Sequence, residues 1–315
     1  MSQYLVTGGA GFIGSHLSEE LVRRGHMVRV VDSLVTGKRT NLRHVSGVDF
    51  IEGDLADIEV ARAAVEGCDY VLHQAAIPSV PRSVTDPIAS NRANVDATLN
   101  TLVAARDAGV RRLVFAGSSS AYGDTPVLPK HEGMPSNPLS PYALQKVVGE
   151  QYLQMFTRLY GFDSVSIRYF NVFGPRQDPS SPYSGVISVF AAALLEGRAP
   201  TIYGDGEQTR DFTYVANVVD GVLRACEARN AGGQVINVAT GTRISLNQLF
   251  YAMRQLIGGN LEPVYAKPRQ GDVRDSQADI RKAKEWLGYA PTVSFEEGLS
   301  RTVEWYRTAQ AAATL

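Results

Sequence analysis

Tyr142 and Lys146 stand four residues apart, a spacing that puts both on one face of a helix. A free phenol, with a pKa of about 10, is a poor base near neutral pH. Bringing it to about 7 requires roughly 4 kcal/mol of preference for the phenolate. One positive charge about 4–5 Å away, at an effective dielectric near 20, is worth about that much. Lys146 could approach it, and a second nearby cation would add to it. Upstream lies a hydroxyl-rich turn, Gly117-Ser118-Ser119-Ser120-Ala121-Tyr122-Gly123. A serine hydroxyl there can relay a proton or hold a substrate oxygen. Taken singly, each feature has a plainer explanation: local turn hydrogen bonding for the serines, a snorkelling surface lysine for Lys146. Ser118, Tyr142 and Lys146 in that order, downstream of the glycine pattern described next, form the expected catalytic set.

The glycine pattern is Thr7-Gly8-Gly9-Ala10-Gly11-Phe12-Ile13-Gly14, between a short apolar run and a helical one. Gly8 permits a tight turn, Gly11 lets a pyrophosphate approach the backbone, and Gly14 allows close helix–sheet packing. The helix N-terminus then offers free N–H groups and partial positive charge. Asp32 ends the second apolar run. A carboxylate there can accept hydrogen bonds from both ribose hydroxyls of an adenosine and would repel a 2′-phosphate, which favours NAD over NADP. Lys38 and Arg39 could meet such a phosphate, and are read instead as solvated loop charges. Asp54, at the end of the third run, is placed near the adenine.

The elements that must position these groups alternate. Strands are expected at Gln3–Thr7, Met27–Val31, Asp49–Glu52, Tyr70–His73, Leu113–Ala116 and Ser164–Tyr169. Helices are expected at Phe12–Arg24, Ile58–Val65, Ile88–Ala108 and Pro141–Tyr160. Fully apolar strands separated by amphipathic helices imply a doubly wound parallel sheet of Rossmann type, an α/β fold with ligands at the strands' carboxyl ends. After Phe170, turns at Pro175, 178–182 and 204–206 separate shorter elements. Residues 1–170 are therefore expected to bind the dinucleotide, and 171–315 to form a smaller α/β substrate lobe, with Val235–Val238 rejoining the main sheet.

Across 315 residues, 31 basic and 32 acidic side chains nearly cancel and are scattered, so no nucleic-acid footprint is expected. The longest apolar runs are too short to span a bilayer. Met1-Ser2-Gln3-Tyr4 enters a strand directly, without a leader-like n-region, and a cytoplasmic protein is expected. Cys68 and Cys226 lack partners at ligand spacing, so neither a disulfide nor a metal site is expected.

On these residues the chain resembles the extended short-chain dehydrogenase/reductases, and within them the nucleotide-sugar 4-epimerases. The resemblance runs over nearly the whole chain. It includes Thr7–Gly14, His73-Gln74-Ala75-Ala76, Ser118–Gly123, Tyr142–Lys146, residues 168–177 (Arg-Tyr-Phe-Asn-Val-Phe-Gly-Pro-Arg-Gln), Gly204–Val215 and Arg269–Asp279. The second half is most similar to the branch that accepts UDP-N-acetylhexosamines. The resemblance implies NAD bound by Gly8, Gly11, Phe12, Ile13, Gly14, Asp32, Ser33, Thr36, Gly37, Asp54, Leu55, Gln74, Ala75, Ala76, Asn94, Tyr142, Lys146 and Tyr169. It implies a UDP-sugar held by Ser79, Ser118, Ser119, Ser120, Tyr142, Asn171, Val186, Tyr203, Arg210, Arg269, Asp272 and Ser276. Arg210 and Arg269 would grip the diphosphate, a task suited to a charged fork of donors. It further implies a homodimer packed through helices resembling Ile88–Ala108 and Pro141–Tyr160.

Pro78 departs from the hexosamine-accepting pattern, which tends to have glycine there, and leaves the substrate range open. UDP-glucuronate epimerases and decarboxylases share the scaffold. Asp178, expected near the sugar, would oppose their carboxylate, and Asn171 stands where those relatives tend to carry threonine. Ser119 and Ser120 replace the acid/base carboxylates that 4,6-dehydratases need. A non-catalytic NAD-sensing protein need not keep Ser118, Tyr142 and Lys146 together. Ser276 stands where relatives confined to plain hexoses tend to carry tyrosine, whose ring would fill the space an acetamido group needs.

Overall fold

The computed structural model describes residues 1–179, 185–268 and 273–313. The first half runs β1 (Gln3–Thr7), α1 (Phe12–Arg23), β2 (Met27–Asp32), β3 (Val48–Glu52), α2 (Ile58–Val65), β4 (Tyr70–His73), α3 (Val80–Thr85), α4 (Pro87–Asn91), α5 (Ala97–Asp107), β5 (Arg112–Ser118), α6 (Pro141–Tyr160) and β6 (Ser164–Tyr169). The second runs β7 (Val172–Phe173), α7 (Val186–Leu195), β8 (Thr201–Tyr203), β9 (Thr209–Arg210), β10 (Thr213–Tyr214), α8 (Val215–Glu227), β11 (Val235–Val238), β12 (Ile244–Ser245), α9 (Leu246–Ile257), β13 (Val264–Ala266), α10 (Arg281–Leu287) and α11 (Phe295–Ala313).

Seven strands form one parallel sheet in the order β11-β6-β5-β4-β1-β2-β3. The order reverses between β1 and β4, which opens a crevice at their carboxyl ends. Register makes those ends level, since Thr7 pairs with both Val31 and His73. The glycine turn, Asp32 and Gln74 therefore emerge side by side. Ser118 pairs with Tyr169 at the ends of β5 and β6.

Helix α6 owes its limits to local sequence. The Ser140 side chain accepts from the Ala143 N–H, Pro141 takes the first helical position, and Gly161 closes the helix with φ 66°. The helix expected over Ile88–Ala108 is interrupted instead. A π-helical turn at Arg92–Asp96 separates α4 from α5. It centres on Asn94, a buried residue whose amide bonds across to the Ile77 backbone, and such bulges arise where a side chain is redirected out of the regular ladder.

Two cores cover the sheet. One packs α2, α5 and α6 through Ala61, Leu102, Ala105, Leu153 and Phe156. The other joins Leu17 and Leu21 of α1 and Val218 and Val222 of α8 to Phe190 and Phe250 of α7 and α9. Each of these large apolar side chains contributes about 1.5–3 kcal/mol by leaving water. The second lobe thus shares most of its core with the α1 face, and a smaller cluster of Tyr122, Phe170, Ala239, Ala278 and Ile280 joins it to the ends of β5 and β6. Residues 215–238 lie beyond 170 in sequence, yet α8 packs on β5, β6 and α1, and β11 extends the main sheet beside β6. No helix among the described residues is long and apolar enough to cross a membrane.

Candidate active site

A cavity of about 1230 Å³ opens at the strand ends. Gly8, Gly11, Phe12, Ile13, Gly14, Asp32, Ser33, Thr36, Asp54, Leu55, Gln74, Ala75, Ala76, Tyr142, Lys146 and Tyr169 all line it. The first turn is built for close approach. Gly8 has φ 63°, and a Cβ there would stand 2.8 Å from the Ala75 backbone. A Cβ at Gly14 would reach 2.2 Å from the Gly8 carbonyl oxygen, so any side chain would push α1 off the sheet. No side chain caps the N-terminus of α1, where Gly11 is the cap, and that helix end faces the cavity.

Asp32 is buried and accepts from the Ala10 N–H (3.0 Å) and the Leu34 N–H (2.8 Å). Burial pushes its carboxyl above the usual range, and the two backbone donors oppose that. Gly37 packs on this carboxylate, which a Cβ there would strike at 2.6 Å. Lys38 and Arg39 are exposed, as expected of solvated loop charges, and each also meets an acid. Lys38 pairs with Asp178, and Arg39 pairs with Glu52 (3.2 Å) while stacking over Phe50 at 4.2 Å. Asp178 lines the same cavity, where its carboxylate pairs with Lys38 of the loop after β2.

The Tyr169 hydroxyl donates to Gln74 Oε1 (2.8 Å), leaving the buried Gln74 Nε2 without a hydrogen-bond partner among the described residues. That amide lines the cavity and can donate to a ligand oxygen.

At the other end of the cavity, Lys146 Nζ donates to the Ala116 carbonyl (2.8 Å) and lies 6.0 Å from the centre of the Tyr142 ring. Burial pulls the lysine down to about 8, with Glu150 acting against it. Burial pushes the Tyr142 phenol up to about 12, and hydrogen bonding by Ser118 pulls the other way. The direction is opposite to the one a base needs, because desolvation penalises an isolated phenolate. Ser118 Oγ also lies 2.8 Å from Ser120 Oγ and caps the turn at the Ser120 N–H.

Other expected residues lie elsewhere. Asn94 is behind the wall: its oxygen accepts from the Ile77 N–H (2.8 Å) and its nitrogen donates to Gln145 (2.8 Å). Ser79 is buried as the N-cap of α3. Ser118, Ser119 and Ser120 follow Gly117 at the end of β5 and in the next turn without lining the cavity, and neither do Val186 at the start of α7 and Tyr203 at the end of β8. Asn171 takes φ 34° and donates to the Asp211 carbonyl (3.4 Å). Arg210 donates to the carbonyls of Thr209 (2.8 Å) and Arg274 (3.1 Å). The Ser276 N–H bonds the same Thr209 oxygen (3.1 Å), so Ser276 and Arg210 share one corner. Arg269 and Asp272 fall outside the described residues.

Three groups escaped the sequence reading. Asp211 is fully buried and accepts from Thr240 (N–H 3.0 Å, hydroxyl 2.6 Å), the Gly241 N–H (2.9 Å) and the Ala278 N–H (3.2 Å), pinning three segments of the lobe. Arg176, at φ 68°, reaches His16, Glu19, His44 and the Asn41 carbonyl at the cavity rim. Glu150 is buried four residues beyond Lys146. Only Glu150 had a signal, as a carboxylate continuing the Tyr142–Lys146 face. Among the described residues no cluster of His, Cys, Asp and Glu could hold a metal ion. Cys68 and Cys226 are buried and unpaired, and burial raises both thiols.

Residues 4–239 match the NAD dependent epimerase/dehydratase family. A UDP-glucose 4-epimerase of Mycolicibacterium smegmatis is 43% identical over 308 residues, covering 96% of this chain and 98% of that one. The solved UDP-N-acetylglucosamine 4-epimerase of Methanobrevibacter ruminantium, in complex with UDP-N-acetylmuramic acid, superposes with a TM-score of 0.94 at 39% identity, over 98% and 99% of the two chains. The UDP-glucose 4-epimerase of Thermus thermophilus, solved with NAD, gives 0.89 at 39% over the same shares. The chain belongs to the NAD dependent epimerase/dehydratase family, an extended short-chain dehydrogenase/reductase group that includes the nucleotide-sugar 4-epimerases.

Proposed function

We propose that the protein interconverts UDP-hexoses by inverting C4, using NAD that stays bound. The reading rests above all on one arrangement. A single cavity has the glycine turn, the α1 N-terminus and Asp32 along one side and Tyr142 with Lys146 at its far end. The residues fit the dinucleotide: Asp32 for the adenosine ribose, the Gly11–Ile13 backbone for the diphosphate, and Gln74 Nε2 as a waiting donor. Bound NAD supplies a hydride acceptor that returns the hydride, so net redox change is nil.

The chain's own part is to move the O4 proton and orient the sugar. Tyr142 Oη takes that proton, Ser118 Oγ holds or relays it, and Lys146 favours the phenolate. Bringing the phenol from about 12 to near neutrality calls for roughly 7 kcal/mol of preference. Lys146, 6.0 Å from the ring centre, supplies about 3 kcal/mol at an effective dielectric near 20. Lysine alone is insufficient, and a second cation beside the phenol is required, as a nicotinamide dinucleotide in its oxidised form would provide. Arg210 and Arg269 are assigned to the diphosphate.

The buried Ser276 beside Arg210 supports a site that also takes the N-acetylated pair. Purified protein incubated without added NAD should convert UDP-N-acetylglucosamine and UDP-N-acetylgalactosamine, and also UDP-glucose and UDP-galactose. UDP-glucuronate belongs in the same panel, and its conversion with both hexose pairs inert would overturn the substrate reading. Ser276→Tyr should abolish turnover of the N-acetyl pair and spare the plain hexoses, since overpacking a close site costs about 1–3 kcal/mol or more. Equal loss of both pairs would defeat the volume argument. Exposed Val84, Ile88 and Leu144 on the adjoining α3, α4 and α6 support pairing of two chains through that face, which light scattering would test.

A further inference from the structure

Behind Tyr142 the protein buries more charge than proton transfer itself uses. Lys146, Glu150 and Arg168 are each no more than 4% exposed. Glu150 Oε1 accepts from Arg168 Nε (2.9 Å) and Oε2 from Nη2 (2.7 Å), a two-point clamp. Arg168 is fixed in turn, its guanidinium 4.5 Å from the centre of the Tyr122 ring, whose hydroxyl donates to Asn237 (2.7 Å). The clamp presses against the sheet beside the lysine. A Cβ at Gly117 would stand 2.9 Å from Glu150 Oε1, and the neighbouring Ala116 carbonyl is the one that receives Lys146 Nζ. Tyr142, Lys146 and Glu150 follow one another at four-residue steps on α6 and so share a face. Two buried cations and one buried anion leave one positive charge uncompensated, and the phenolate of Tyr142 is the anion that would complete the set.

We propose that Glu150 is a positioning residue for the proton-transfer pair: clamped by Arg168, its carboxylate charge keeps Lys146 an ammonium ion behind Tyr142. The proposal rests on the roles given above to Tyr142 and Lys146. The charged and titratable groups around Lys146 are few. Along α6 the lysine faces Tyr142 and Glu150. From β5 it meets the Ala116 carbonyl and the Phe115 ring at 4.8 Å. From β4 comes His73, held near 3 by burial and by Lys146 itself and therefore neutral. From β6 come Arg168, spent on Glu150, and Tyr169, whose phenol burial raises. Glu150 is the group that opposes the burial of the lysine charge.

The chain contains six lysines, so Lys146 can be followed directly in the holoenzyme by ¹³Cε-lysine NMR, with Lys146→Met assigning its signal. In wild type it should titrate near 8. Glu150→Gln should lower that midpoint by about one to three pH units, and the alkaline limb of the turnover profile should move with it. Arg168→Gln should move the midpoint up, because Glu150 then has only the lysine to neutralise. Glu150→Gln leaves Arg168 buried without its anion and can fail to fold. The double variant Glu150→Gln/Arg168→Gln removes both charges, and should recover melting temperature while its midpoint stays low. A wild-type midpoint in the double variant, or in a folded Glu150→Gln protein, would overturn the proposal and leave the ion pair a purely structural element. The titration needs no turnover, so inactivity of wild type on every UDP-sugar would defeat the functional reading and still leave Glu150 decided.

Discussion

The two halves of the site are assembled differently. On the cofactor side the groups come from the ends of β1, β2, β4 and β5 and the first turns of α1 and α6, and the parallel register alone brings them level. On the sugar side Asn171, Arg210 and Ser276 sit on two-residue strands and loops, held by hydrogen bonds that cross tens of residues, Asn171 to Asp211, Arg210 to Arg274 and Ser276 to Thr209. The first construction is set by backbone periodicity, so its groups are placed level before any side-chain contact is made. The second depends on individual buried polar groups, because two-residue strands carry too few ladder bonds to hold themselves.

Tyr142→Phe gives the largest expected effect, since it removes the group on which both halves converge. Turnover should fall by roughly 10²–10⁴-fold with melting temperature and bound NAD unchanged. Near-normal turnover would show that the proton leaves by another group. Asp211→Ala comes next. It leaves the Thr240, Gly241 and Ala278 N–H groups without their acceptor, and should lower stability by about 3 kcal/mol. UDP-sugar affinity should weaken while NAD content holds, and equal loss of NAD would break the distinction between the halves.

Asp32→Ala is the converse. Losing charge-assisted acceptors worth about 1.5–3 kcal/mol should weaken NAD retention roughly ten- to hundredfold and relax discrimination against a 2′-phosphate, with UDP affinity intact. NADP(H) as the main dinucleotide released from wild type would refute the role given to Asp32.

The smallest effect has the opposite sign. Lys146 is held down to about 8 in the fold and returns to about 10.4 on unfolding. A base depressed by folding costs stability wherever both states are charged, below about 8, and nothing above about 10.4. Lys146→Met should therefore abolish most turnover yet raise stability at pH 7 by up to about 3 kcal/mol. The gain should shrink between pH 8 and 10, and calorimetry across that range would read it.

The same contrast explains what could be read in the sequence. Alternating apolar strands and amphipathic helices gave away the sheet, and the Ser140-Pro141 start and Gly161 stop marked α6 closely. Gly8, Gly14 and Asp32 were legible because turn geometry demands those types at those places. Asn94 misled, since an amide advertises hydrogen bonding without naming its partner, and its partner is the Ile77 backbone. Asp211 and the Arg176 contacts at the rim gave no signal, because the fold creates those neighbours across long stretches of chain. The raised Tyr142 phenol was equally hidden, since desolvation is a property of the folded interior.

The return of β11 to the main sheet has a consequence for the newborn chain. Domains generally take shape as they leave the ribosome, but this sheet cannot be finished in order. β6 emerges by Tyr169, while its outer neighbour ends at Val238 of 315 residues. Until then the backbone of Ser164–Tyr169 is an open edge, and the apolar stripe of α1 lacks the α8 side chains that cover it. Unpaired edges of that kind template aggregation. A fragment ending near residue 170 would keep the fault permanently, and any attempt to isolate the nucleotide half should retain the chain at least through Val238.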